Sequence, residues 1–275
     1  MASNNNTYEQ VYNSSEDGSF LSRLDEVICV LVQRGVMVAG FTDAKELLTI
    51  HYTGYNKNRP VWALDFFEQL FANEPLLAMG NKVKGVFICS DKHLVVPDAL
   101  YDEQEAVNWL KKIHFIEPGD EILSRHMESD KVNYQYAVPV NITELIKINF
   151  SKAVTLPLPV YHFKNVQREG LQLQCCITGE QVCATMHNNG QLLWHRIFHY
   201  TCAEDIAYDI NHLSIENNIT ASNITFLCNS ISASEYKVLN DLSQYFPSIR
   251  SGSGNNIASE WDPAISLAQQ LIACV

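Results

Sequence analysis

The chain has 275 residues, enough for one large domain or two of ordinary size, and its apolar content of 47% can supply a packed core. Nineteen basic against thirty-one acidic residues, a formal net charge of −12, argue against a nucleic-acid backbone as the main partner. No stretch reaches the apolar length of a membrane helix, and eight scattered cysteines without a dense short-spacing framework point to reduced thiols in a cytoplasm.

Residues 1–19 are polar and Asn-rich, without the basic and apolar segments of a secretory signal, and are expected to form a flexible tail. Val27 to Val32 is an apolar run of strand length. Gln33-Arg34-Gly35 turns it, Val36 to Phe41 returns, and Leu47 to Tyr52 gives a third strand. Pro60 sits where a helix would open, followed by Val61, Leu64, Phe67, Leu70 and Phe71 at helical spacing. Val83 to Cys89 and Leu94 to Val96 read as strands. Asp98 then serves as N-cap of a helix carrying Leu100, Val107, Leu110 and Ile113. Two further strands are expected at Glu121 to Arg125 and Asn133 to Val138. A capping box formed by Asn141 and Glu144 opens a short helix ending near Phe150. Ala153 to Val160, with two prolines, is an extended crossing segment.

The second half is more regular. Leu171, Leu173, Cys175 and Ile177 alternate with Gln172, Gln174 and Cys176, the pattern of a half-buried strand. Thr178-Gly179-Glu180 turns into a second strand with Val182, Ala184 and Met186. Asn189-Gly190 then turns into a third with Leu192, Trp194, Arg196 and Phe198, since Asn-Gly tolerates the positive φ angles of a type I′ turn. Thr201 with Glu204 caps a helix, Ile224 to Cys228 is a buried strand, and Ser232 with Glu235 caps another helix. Tyr245 to Ile249 reads as a strand, Ser251 to Asn256 as a flexible loop, and Ser259, Asp262 and Pro263 open a last helix.

The second half is therefore βββαβαβα, and the first begins the same way before departing with an extra strand pair. Three antiparallel strands followed by alternating helices and strands describe a mixed α/β sheet with flanking helices. That order is similar to the ribonuclease H-like fold, and two such halves in tandem resemble actin, hexokinase and the heat-shock chaperone ATPases. On this reading residues 20–158 form an N-terminal and 159–275 a C-terminal ribonuclease H-like lobe. Val95-Val96-Pro97-Asp98-Ala99-Leu100-Tyr101 and the stretch from Gly190 through Phe198, Thr201, Glu204-Asp205 and Ala207-Tyr208 to Leu213 resemble a Bacteroidetes family of cytoplasmic proteins known only as a domain of unknown function. The resemblance implies an actin-like ATPase fold and no assigned activity.

It also implies where a nucleotide would sit. Actin-type ATPases carry an Asp-x-Gly-like phosphate turn in the first hairpin of each half, whose backbone N–H groups face phosphate and whose carboxylate organises the metal. Here those turns are Gln33-Arg34-Gly35 and Thr178-Gly179-Glu180, each with one glycine and no aspartate at the end of the incoming strand. The glycine pair that admits adenosine is replaced by Cys228-Asn229-Ser230. Arg34, Gly35, Gly179, Glu180 and Asn229 are the cleft candidates, and ATP with magnesium is the ligand they would hold if that chemistry survived. The expectation is that it does not. The chain is read as a non-catalytic binding or assembly module with a protein partner, and the alternative is a nucleotide-binding protein or weak ATPase using the interlobe cleft.

Two other chemistries have candidate residues. A two-metal nuclease site would need carboxylates such as Glu26, Glu68 and Asp91, but the first strand of the second half has no acid. Cys176 and Cys183 become cross-strand neighbours across the Gly179-Glu180 turn, near Cys175, His187, His195 and His199. His195 and His199 stand roughly 13 Å apart along a strand, so they do not share an ion. With no CxxC motif present, buried apolar thiols and no metal are expected.

Overall fold

Continuous apolar runs can be buried on both faces, and the two large sheets of this chain are built around such runs. The computed structural model describes residues 7–14, 20–219 and 224–275. The first half runs β1 (Thr7–Asn13), a short α1 (Phe20–Arg23), β2 (Glu26–Val32), β3 (Gly35–Phe41), β4 (Leu47–Tyr55), α2 (Leu64–Asn73), β5 (Val83–Ile88), β6 (His93–Pro97), α3 (Glu103–Ile113), β7 (Asp120–Met127), β8 (Val132–Pro139), α4 (Val140–Asn149) and β9 (Val154–Pro157). The second runs α5 (Val160–Lys164), β10 (Leu171–Ile177), β11 (Gln181–Asn188), β12 (Gln191–His199), α6 (Ala203–Glu216), β13 (Ile224–Ser230), α7 (Tyr236–Leu242), β14 (Arg250–Ser251) and α8 (Asp262–Ile272).

The strands form a six-stranded sheet β1-β4-β3-β2-β5-β9, a five-stranded sheet β12-β11-β10-β13-β14 and a separate three-stranded sheet β6-β8-β7. Within β4-β3-β2-β5-β9 and β12-β11-β10-β13-β14 the order is the same, third-second-first-fourth-fifth. In each, the first strand pairs antiparallel with the second and parallel with the fourth. The duplication indicated by element order is therefore present in the topology. Asn189 and Gly190 both take positive φ, 49° and 79°, as the type I′ turn requires. Among the described residues no helix is long and apolar enough to cross a membrane.

Several local expectations are corrected. Within the proposed tail, Thr7–Asn13 is the edge strand β1, paired antiparallel with β4, while residues 1–6 and 15–19 lie outside the described residues. The Tyr8 and Tyr12 rings pack on Tyr52 and Trp261 at 5.8 Å each, which gives an apparently polar segment its aromatic anchors. Asp98 begins a short 3-10 turn, and the cap of α3 is Asp102, whose carboxylate accepts from the N–H of Gln104 and Glu105. Pro139 precedes α4 in place of an Asn141 box. At α6 the box is shifted by one residue, with Asp205 accepting from the N–H of Thr201 and Cys202.

Tyr245 to Ile249 is a series of turns, because the N–H groups of Tyr245 and Phe246 still bond Leu242 O and Pro247 has no N–H to give a ladder. The loop after it is not free. Ser251 is buried and paired with β13, and Gly252 N–H donates to Asn229 Oδ1 at 3.1 Å. A Cβ on Gly252 would stand 2.3 Å from the Asn229 amide, so this close approach needs glycine.

The two large sheets meet at one buried cluster, and the second sheet has a further cluster of its own that includes Leu173, Ile177, Ile206 and Phe226. Ala264, Leu267, Ala268, Leu271 and Ile272 of α8 belong to the same buried cluster as Ile28, Leu31, Phe67 and Phe87 of the first half. The helix touches β2 and β4 on one side and β13 and β14 on the other. Lys45 Nζ reaches Ile272 O at 3.2 Å, placing a cation at the helix C-terminus, where the macrodipole favours it. Leu267→Ala is expected to cost about 2–5 kcal/mol in a urea titration, whereas Ile148→Ala, 80% exposed on α4, should stay within about 0.5 kcal/mol.

Candidate functional site

The β2–β3 turn faces the β10–β11 turn across a cavity of about 370 Å³ lined by both. The first turn is held by the loop that follows β4. The single Tyr55 hydroxyl proton lies between the carbonyls of Gln33 (2.8 Å) and Pro60 (3.0 Å), and Tyr55 Oη accepts from Ala63 N–H. Trp62 N–H also donates to Gln33 O, and Tyr55 N–H to Arg34 O. The turn's carbonyls are thus already occupied. Arg34 lies over the Tyr55 ring, 5.8 Å from its centroid, and donates to the carbonyls of Asn56 and Arg59.

The second turn is closed by Thr178, whose N–H and hydroxyl both donate to Gln181 O, with Gly179 at φ 78°. From that turn Glu180 crosses the cavity. Its carboxylate accepts from Arg34 Nε at 3.3 Å and pairs with Lys57 Nζ at 3.6 Å. At the strand ends where a metal-organising acid would stand, Val32 and Ile177 are buried hydrophobics. Glu180 is thus paired with two cations, leaving one net positive charge, and among the described lining residues no carboxylate stands open to a cation.

Beneath it are Tyr8, Tyr52 and Tyr200 and the buried Glu235. Glu235 caps its own 3-10 turn, accepting from Ser232 N–H at 3.1 Å and Ser232 Oγ at 2.6 Å. Burial raises its carboxyl from 4.5 to about 7, against the lowering effect of these donors. Burial likewise raises Tyr8, Tyr52 and Tyr200, with Glu235 a further cause in each.

The remaining candidates separate. Gly35 lies beside the cavity, where a Cβ would stand 2.5 Å from Tyr52 Oη. Asn229 is buried on β13 away from the cavity lining, bound to Gly252 N–H and Gln270. It is a packing residue of the β13–β14 connection and does not face the turns. Glu26 opens β2, whereas Asp91 follows β5, which runs parallel to β2 from Val83 beside Val27 to Ile88 beside Leu31. The two acids are at opposite ends of the sheet, about 20 Å apart by strand rise, and Glu68 is exposed on α2. They do not assemble a nuclease site.

A second constellation was only half legible. Cys176 and Cys183 are directly paired, as the turn register implies. Cys183 and Thr185 share one face of β11, His195 stands opposite Thr185 on β12, and His162 comes down from α5. Thr185 Oγ1 lies 2.7 Å from His162 Nδ1 and 2.8 Å from His195 Nδ1. Burial pushes His162 down to about 3 and His195 well below the ordinary range, so both rings are neutral. Of these residues the sequence marks Cys183 and His195, but not Thr185 between them. Nothing local marks His162, which reaches the group through the packing of α5.

A family model described as "Protein of unknown function (DUF3822)" matches residues 37–249. Among curated proteins there is no match. Of solved structures, a Bacteroides thetaiotaomicron VPI-5482 protein with actin-like ATPase fold and unknown function superposes with TM-score 0.73 at 13% identity, over 95% of this chain and 100% of the other. The ethanolamine utilization protein EutJ from Carboxydothermus hydrogenoformans gives 0.50 at 9% identity, over 89% of each chain. The PilM-PilN type IV pilus biogenesis complex gives 0.50 at 10%, over 92% and 98%. The fold is that of the actin-like ATPases.

Because Glu235 binds its proton more tightly when folded, its contribution to stability is fully present below 4.5 and is lost as pH rises through about 7. Thermal unfolding of Glu235→Gln against the parent protein, at pH 5 and at pH 8, reads this directly. The variant is expected to gain on the parent at the higher pH, and a pH-independent difference would contradict it.

Proposed function

We infer, for a chain that belongs to the DUF3822 family of proteins of unknown function, a non-catalytic binding or assembly module of the cytoplasm in which the two phosphate turns have become a structural clasp. The observation that carries this reading is the Arg34–Glu180 pair spanning the cavity between the turns. A nucleotide with its magnesium needs open backbone donors and an acid free to organise the cation. Glu180, the carboxylate among the described cavity-lining residues, is paired with Arg34 and Lys57, and the incoming strands end in the buried Val32 and Ile177 in place of an acid. Fold likeness to ATPases supplies no activity by itself.

Partner binding is supported by a second surface. The edge strands β6 and β12 border a groove of about 910 Å³ with Leu94, Val95, Ile113 and Leu193 in its lining and Lys131 and Arg196 beside them. Of the two stretches that carry the family resemblance, Val95 and Pro97 of the first and residues 190–197 at the start of the second, which extends to Leu213, line this groove. Unpaired strand edges are sites where an extended segment of another protein adds by backbone hydrogen bonds. One of the neighbours of this fold comes from a protein–protein complex.

The test is thermal unfolding of the purified chain with ATP, with and without magnesium. A ligand selective for the folded state must raise the melting temperature. No rise is expected at millimolar nucleotide, and a rise at micromolar ATP would replace this reading with the nucleotide-binding one.

A further inference from the structure

The group around Thr185 carries a function that the interlobe clasp does not. A ring nitrogen of His162, Sγ of Cys183 and a ring nitrogen of His195 all lie within 4.8 Å of one another, with His162 and Cys183 fully buried. Cys183 Sγ is 4.0 Å from His162 Nδ1, and Thr185 Oγ1 stands within 2.8 Å of both imidazoles. These four donors come from three separate elements: α5, β11 and β12.

Hydrogen bonding alone leaves this group incomplete. Thr185 has one hydroxyl proton, so it donates to one imidazole and accepts from the other. One ring then carries its proton on Nε2 and the other keeps a bare Nε2, and both Nε2 atoms are buried with no partner among the described residues. A cation held at the two Nδ1 atoms would engage the side of each ring that faces Thr185 and Cys183 and would leave each Nε2 as an N–H donor.

We propose that His162, Cys183 and His195 bind a single zinc ion, with the Thr185 hydroxyl completing a tetrahedron. Zinc bonds of about 2.0–2.1 Å to nitrogen and 2.3 Å to sulfur set ligand-to-ligand edges of about 3.3–3.6 Å. Here the two edges from Thr185 Oγ1 are 2.7 and 2.8 Å, the Cys183 Sγ to His162 Nδ1 edge is 4.0 Å, and the ligand atoms of His162, Cys183 and His195 all lie within 4.8 Å of one another. Two imidazoles with one thiolate suit zinc better than calcium or magnesium, which take oxygen ligands. Binding releases the Cys183 thiol proton to solvent, while any Nδ1 proton moves to Nε2, so the filled site carries one net positive charge. Asp130, bound to His187 Nε2 at 3.1 Å, lines the same groove as His195. The entry path is the groove between β6 and β12, where His195 forms part of the wall with the His93 ring edge-on at 5.0 Å.

The experiment uses the full chain, freed of any affinity tag and stripped with a chelator, then titrated with cobalt(II) and competed with zinc. A single equivalent should give the intense visible bands of tetrahedral cobalt and a thiolate charge-transfer band, both lost on adding zinc. Zinc should also raise the melting temperature. Cys183→Ser should lose the charge-transfer band and weaken binding by more than about tenfold, while Cys202→Ser, at an exposed thiol, leaves both unchanged. Circular dichroism of the metal-free variants separates loss of the ligand from loss of fold; if Cys183→Ser is unfolded, Thr185→Val and the parent spectrum decide. A folded parent chain that shows no tetrahedral cobalt spectrum and no zinc-dependent stabilisation overturns the proposal. So does a folded Cys183→Ser protein that keeps the full spectrum.

Discussion

Leu267, Leu271 and Ile272 of α8 are withdrawn from water between the two large sheets, and the place where the two turns meet follows from that burial. Each fully buried aliphatic side chain contributes about 1.5–3 kcal/mol. The Arg34–Glu180 pair, with side chains 18% and 28% exposed, is worth about 1 kcal/mol or less. Apolar packing therefore sets the relative position of the sheets. The ion pair does little to hold them, and its consequence is chemical: it occupies the cavity between the turns with the chain's own charges.

On the proposed reading, that division of labour lets an ATPase fold persist without an ATPase site. Val32 and Ile177, at the strand ends where metal-organising acids would stand, add to the core instead. Tyr55 satisfies the carbonyls of the first turn, and Thr178 closes the second. Each change suits the folded chain alone, without a ligand. On that reading the groove at β6 and β12 and the histidine group beside it are the surfaces left for external chemistry.

Much of this was legible because it is local. Alternation from Leu171 to Ile177 and the Asn189-Gly190 turn marked the second sheet, and the capping box of Ser232 and Glu235 is present as read. The absence of aspartate from both turns was equally plain. What escaped was non-local or masked by polarity. β1 looked like a tail because Glu9, Gln10 and Asn13 outweigh two tyrosines whose partners are Tyr52 and Trp261. Asn229 shared a position with an adenosine loop but turned its amide to Gly252. Arg34 and Glu180 are 146 residues apart, and nothing in either turn announces the other.

The account rests on that pair being a real coupling in the ligand-free chain. A double-mutant cycle on Arg34→Ala and Glu180→Ala, read by urea unfolding with and without Mg-ATP, measures it directly. A favourable coupling of about 0.5–1 kcal/mol, unchanged by the nucleotide, is predicted. A coupling near zero, or one abolished by Mg-ATP, would mean that the turns are held apart for a ligand, and would contradict it.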